Sequence, residues 1–149
     1  NVQLEDFLKF DFNGVSCPCR VIDICDGDTC DIGIKWRDRY IKLRARLRGI
    51  NSPEINPKLE AENRDNIRRQ AYLAKKKLIE YCSDLVPEDY ESKNDCKELM
   101  KKNKKLLYVK MSKFDCFGRV LVELYLDSDY KSSINQLMLD NGYAEKFVN

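Results

Sequence analysis

Four short groups of residues carry side chains able to do chemistry: Asp26-Gly27-Asp28-Thr29, the arginines around Arg46, Asn51-Ser52-Pro53-Glu54 and Phe117-Gly118-Arg119. The chain holds no histidine. That removes every hydrolytic mechanism that needs an imidazole base, a Ser-His-Asp triad or a histidine metal ligand. Acid–base work then falls to carboxylate, arginine, lysine, tyrosine or water. Taken singly, each group also has a plain structural reading. Asp26 to Thr29 reads as a hairpin turn, Glu54 as a loop acid or helix cap, and Arg119 as a turn residue. Their joint order and spacing argue against coincidence.

The elements that must position these groups are legible as patterns. Residues 20–26, 29–37 and 39–50 read as strands, with β-branched residues and period-two alternation, the first two joined across Asp26-Gly27-Asp28. In the third run Ile41, Leu43, Ala45 and Leu47 share one face, while Lys42, Arg44, Arg46 and Arg48 share the other. Asn51-Ser52-Pro53-Glu54 and Pro57 then halt pairing, because proline lacks a ladder donor and restricts the residue before it. From Glu60 to Tyr81 the pattern turns helical, with Ile67, Ala71, Ala74 and Leu78 on one face, acids early and Lys75 to Lys77 late. Residues 83–95 read as an exposed loop, followed by a short helix over Cys96 to Lys102, with a surface insertion expected around 82–105. Leu106 to Met111 and Val120 to Leu126 read as two more strands about a turn at Asp115 to Gly118. Ser132 to Asp140 reads as a helix closing at Asn141-Gly142. Three strands, a helix, two strands and a helix are compatible with an α+β, mainly β fold: a five-stranded OB barrel with a helix between strands 3 and 4 and a C-terminal helix.

Length and composition agree. The 149 residues suit one domain, 1–149, and 43% apolar with 35% charged residues is the balance of a globular chain. No stretch approaches a membrane span, so no membrane partner is expected. Net charge is only +2, but residues 35–48 hold seven bases against one acid, and 101–113 hold six against none. Residues 82–100 hold six acids against two lysines, so the charge is separated into patches that give a polyanion a preferred approach. Seven cysteines, an odd number without a CxxC pair, suggest neither a disulfide framework nor a zinc ribbon. Reduced thiols favour an intracellular (cytoplasmic or nuclear) location, secretion not being excluded. Cys17-Pro18-Cys19 is assigned no function. The chain opens at Asn1 with neither an initiator methionine nor a signal-peptide pattern, as a trimmed or processed chain does.

The ordered motifs resemble the staphylococcal nuclease (thermonuclease) family. There, an Asp-Gly-Asp-Thr turn, an arginine five residues before an Asp-Thr-Pro-Glu loop, and a Tyr-Gly-Arg turn meet at one end of an OB barrel. The resemblance spans roughly residues 20–147, including Gln70-Ala71 through Lys75-Lys76 and Leu78. It implies that Asp28 is a metal-binding aspartate, that Asn51 stands where a second metal aspartate belongs, that Ser52 offers its backbone carbonyl, and that Asp26 supports them. It implies that Glu54 activates or orients the attacking water. Arg46 and Arg119 would hold the reacting phosphate, a role suited to a planar, permanently charged guanidinium. The implied reaction is hydrolysis of DNA or RNA phosphodiesters to 3′-phosphates with one divalent cation, Ca2+. The expected partners are single-stranded DNA, duplex DNA or RNA, met by a monomer. Arg44 and Arg48 read as a solvated or phosphate-steering face, and Phe117 as either a base-stacking ring or a core residue.

The pattern departs from the family at Asn51, which keeps a ligating oxygen but removes a charge, so weaker calcium binding is expected. Cys116 and Phe117 replace lysine and tyrosine, and the chain stops at Asn149, before the family's nucleotide-pocket tyrosines. Three readings therefore stay open: an active metal-dependent endonuclease, a nuclease-like module that binds nucleic acid with little catalysis, and a protein-interaction scaffold.

Overall fold

A computed structural model describes residues 1–59, 62–85 and 93–149. Three strands, β1 (Ser16–Asp26), β2 (Thr29–Trp36) and β3 (Arg39–Leu47), form an antiparallel meander. β1 is longer than its 20–26 pattern, because Ser16 to Cys19 pair with β5 (Leu107–Phe114) while Arg20 to Asp26 pair with β2. One strand thereby serves both edges. β6 (Val120–Tyr125) pairs antiparallel with β5 and parallel with β3, completing a closed barrel in the order β1-β2-β3-β6-β5. This is the five-stranded OB barrel expected from the sequence.

The barrel interior takes Val21, Ile24, Ile32, Leu47, Val109 and Leu124, all essentially inaccessible to solvent. Each such Leu or Ile contributes about 1.5–3 kcal/mol relative to exposure. Phe12 closes one end, meeting Trp36 and Phe114 edge-on at 5.2 and 5.8 Å. Helix α1 (Arg64–Cys82) packs on β1 with Ala71, Ala74, Lys75, Leu78, Ile79 and Cys82 buried. The expected start at Glu60 lies outside the described residues. Lys75, expected among the late cations, is 1% accessible, because it follows Ala71 by four residues and so falls on the inner face. The last turn of α1 contains no basic residue, so the expected match of Lys75 to Lys77 to the helix dipole is not made. Most of the expected 83–95 loop also lies outside the described residues. The following helix, α2 (Lys93–Met100), begins three residues before the expected Cys96. Its Cys96 and Met100 are buried against the barrel.

The third strand is shorter than expected. It ends at Leu47, and Gly49, at φ +82°, turns the chain in a conformation that favours glycine. Ile50–Asn51 then form β4, which pairs with β7 (Glu145–Lys146) as a two-stranded ribbon beside the barrel. Between β6 and β7, helix α3 (Ile134–Asp140) is capped by Ser133, whose hydroxyl accepts from the Gln136 N–H at 3.1 Å. Buried Asn135 accepts from the Leu124 N–H and donates to the Arg48 and Val122 carbonyls, pinning α3 to the turn before β4. All seven cysteines are free thiols. Among the described residues no helix is long and apolar enough to cross a membrane.

Candidate functional site

The β1–β2 turn and the end of β3 lie side by side. Thr29 pairs with Arg46, and the Leu47 N–H donates to the Asp28 carbonyl at 2.8 Å. Gly27 lets this turn press against α1 and the β4 exit. A Cβ there would stand 2.8 Å from the Cβ atoms of both Ala74 and Ser52, too close for any side chain.

Asp28 is 6% accessible and fully engaged. Its Oδ2 accepts the Ser52 N–H at 2.8 Å and lies 3.4 Å from Arg46 Nη1, while its Oδ1 accepts the Thr29 hydroxyl at 2.9 Å. Arg46, buried to the same degree, donates through Nη1 to the carbonyls of Leu47 (3.0 Å) and Ile50 (2.8 Å), and through Nη2 to Asn51 Oδ1 (3.2 Å). Phe147 covers the guanidinium at 5.6 Å. The Asp28 N–H donates to Asp26 Oδ1 at 3.0 Å, so five of the residues singled out from the sequence, Asp26, Asp28, Arg46, Asn51 and Ser52, are joined in one network. Ser52 is buried, and its hydroxyl has no hydrogen-bond partner among the described residues.

The two aspartates of the turn are driven apart in acidity. Burial, and then a hydrogen bond to the Asp28 carboxyl, push Asp26 up to about 7. Burial also opposes ionisation of Asp28, but the Asp26 carboxyl, the Ser52 N–H, Arg46 and Thr29 outweigh it and hold Asp28 below the usual carboxylate range. Asp26, with its folded value above its ordinary 3.8, adds stability that is full below about pH 4 and is lost as pH rises through about 7. In chelator, urea midpoints of the wild-type protein are expected to fall between pH 5 and pH 8, and those of Asp26→Asn to fall less. Equal slopes for the two proteins would remove Asp26 as the cause.

Glu54 is exposed and lies with Asp26, Tyr72 and Lys75 on the wall of a cavity of about 400 Å3. Arg119 stands elsewhere in the same neighbourhood, in the β5–β6 turn, two residues before Leu121, which pairs with Arg46. Asp115 holds it: the Arg119 N–H donates to Oδ1 at 2.9 Å and its Nε to Oδ2 at 2.8 Å. Phe117 is 79% exposed, which excludes the core reading, and the Arg119 guanidinium sits 5.3 Å from its ring.

Arg44 shares the face of β3 that carries Arg46, whereas Arg48 does not belong to that strand. Arg44 is paired with Asp31 on β2, and Arg48 lies beyond the end of β3, donating to the Ser112 hydroxyl at 3.3 Å. Sequence reasoning missed Asp115, Asp31 and Phe147. The Asp115 turn had a local signal, a carboxylate four residues before Arg119; Phe147 had none.

Residues 44–149, more than half of the chain, match the family described as Staphylococcal nuclease homologue. A search of curated proteins finds no match. The Asp26–Thr29 turn precedes the matched region and is bound to it by the Thr29–Arg46 pairing and the Asp28–Ser52 hydrogen bond. With a closed five-stranded barrel and a family match over most of its length, the chain belongs to the staphylococcal nuclease family.

Proposed function

We propose that this protein is a metal-dependent endonuclease that hydrolyses phosphodiester bonds of DNA or RNA. The observation that carries the reading is the network joining Asp28, Arg46, Asn51 and Ser52, with Glu54 on a cavity wall shared with Asp26. Among the described residues no group of three or more Cys, Asp or Glu is gathered as a metal cluster. The chemistry of the donors nonetheless suits a hard cation: two carboxylates, an amide oxygen and a backbone carbonyl. Asp26, whose Oδ1 accepts the Asp28 N–H at 3.0 Å, and Asp28 are neighbouring carboxylates whose mutual repulsion a divalent cation relieves. Asp28, Asp26, Asn51 and Ser52 would hold calcium, which supplies positive charge to the phosphoryl oxygens when bound.

The chain's own groups do the rest. Arg46 is fixed by the Leu47 and Ile50 carbonyls and covered by Phe147, so it would address a phosphate through its unengaged donors once Phe147 moves aside. Arg119, oriented by Asp115, would offer its remaining donors to the same phosphate. Glu54 would accept the proton of the attacking water. The second reading, a binding module of low activity, is favoured by Asn51, whose oxygen already accepts from Arg46.

Purified protein incubated with single-stranded DNA, duplex DNA and RNA across a calcium titration, with a chelated control, tests the proposal. Calcium-dependent cleavage is expected, and binding without cleavage at every calcium concentration would promote the binding module. Asn51→Asp is expected to lower the calcium needed for half-maximal cleavage by about tenfold, the equivalent of about 1.4 kcal/mol. An unchanged requirement would remove Asn51 from the metal site.

A further inference from the structure

We propose that the outer face of the β1–β2–β3 sheet carries a second binding site, for single-stranded nucleic acid, in a groove centred on Gly33. The groove encloses about 550 Å3, and its cations are Arg20, Lys35, Lys42, Lys104 and Lys105. No acid lines it. Lys105 is occupied with the Tyr81 carbonyl and with Asp84 at 4.0 Å. Among the described residues Arg20, Lys42 and Lys104 make no ion pair and no side-chain hydrogen bond, and all three are exposed. In a chain of net charge +2, three uncommitted cations about one concavity are a marked local excess.

The register explains the shape. Arg20, Gly33 and Lys42 lie in one row across three strands, and Lys35 pairs with Tyr40 in the next row on the same face. Gly33 has no left-handed φ, and a Cβ there would meet nothing closer than 3.8 Å. Neither backbone strain nor crowding accounts for the glycine. Its effect is to leave the centre of the sheet face open, as where a ligand approaches the backbone closely.

The lining fits a single strand of nucleic acid rather than a simple anion. Tyr40 is 85% exposed with Lys35 6.0 Å from its ring, and Leu106 is 55% exposed at the rim. An open aromatic face flanked by phosphate-binding cations is the combination that holds unpaired bases and their backbone together. The site is distinct from the Asp28–Arg46 network. Gly33 and Lys42 lie four rows from Thr29 and Arg46, about 13 Å along the strands. Between them stand Asp31, paired with Arg44, and its neighbour Asp23, which interrupt the positive track. The proposal stands whether or not the network cuts.

The test is fluorescence anisotropy of a labelled oligothymidylate in chelator, where no cleavage is needed for the readout. Gly33→Glu is expected to weaken binding by at least tenfold and Gly33→Gln much less. Lys42→Ala with Lys104→Ala is expected to reduce the slope of log affinity against log salt by about 1.4, the share of two phosphate contacts to a single strand. The lysine pair carries the test if a Gly33 variant fails to fold. Wild-type affinity and salt slope in the folded variants would overturn the proposal. So would loss of a wild-type dimer in sedimentation equilibrium on Gly33→Glu with oligonucleotide affinity unchanged. The groove would then hold the exposed acidic and aromatic N-terminal arm of a second copy.

Discussion

Arg46→Met is expected to lower the free energy of unfolding by about 3–5 kcal/mol and to abolish phosphodiester cleavage. The stability effect follows from burial. Arg46 is 6% accessible and satisfies three oxygens, the Leu47 and Ile50 carbonyls and Asn51 Oδ1, while standing 3.4 Å from Asp28. Methionine fills the space but strands those acceptors and leaves the Asp28 carboxylate without its cation. Arg46→Lys keeps the charge and loses the fork. One ammonium cannot reproduce the planar set of contacts, so part of the stability is expected to return and cleavage is not. Urea unfolding of the two variants beside the wild-type protein, with a cleavage assay at saturating calcium, checks both. A wild-type midpoint for Arg46→Met would mean that the buried network contributes little to the fold.

Arg46 also shows where sequence reading reached and where it stopped. Strand alternation places it on the outer face of β3 with Lys42 and Arg44, and outward it points. Alternation cannot say that this one position is roofed. The cover comes from Phe147 and from the pairing of Ile50 and Asn51 with Lys146 and Glu145, contacts that join residues far apart in the chain. The same limit explains Arg44, whose partner Asp31 faces it only once β2 and β3 are in register.

Local signals fared better. The Asp26-Gly27-Asp28-Thr29 turn, the core face of β3 and the Gly142 helix stop were legible because turn chemistry and periodicity act over a few residues. Lys75 illustrates a misweighted local signal. Its charge and its neighbours Lys76 and Lys77 read as late cations matched to the helix dipole, yet the helical spacing from Ala71 already places it on the buried face.

Glu54→Ala is expected to behave in the opposite way to Arg46→Met: cleavage falls about 10²–10⁴-fold, the usual contribution of a positioned acid or base, while stability stays within about 0.5 kcal/mol of wild type. Glu54 is exposed, and its side chain has no hydrogen bond or ion pair among the described residues, so its loss strands nothing. Oligonucleotide binding in chelator is expected to persist. Glu54→Gln then separates two roles that alanine cannot. An amide still orients a water by hydrogen bonding but does not take its proton. Activity near wild type in Glu54→Gln would make Glu54 an orienting group, and a loss equal to that of alanine would make it the proton acceptor. If neither substitution affects cleavage, the proton goes elsewhere. Asp26, on the wall of the same cavity and with its carboxyl pushed up to about 7, is then the next carboxylate to replace.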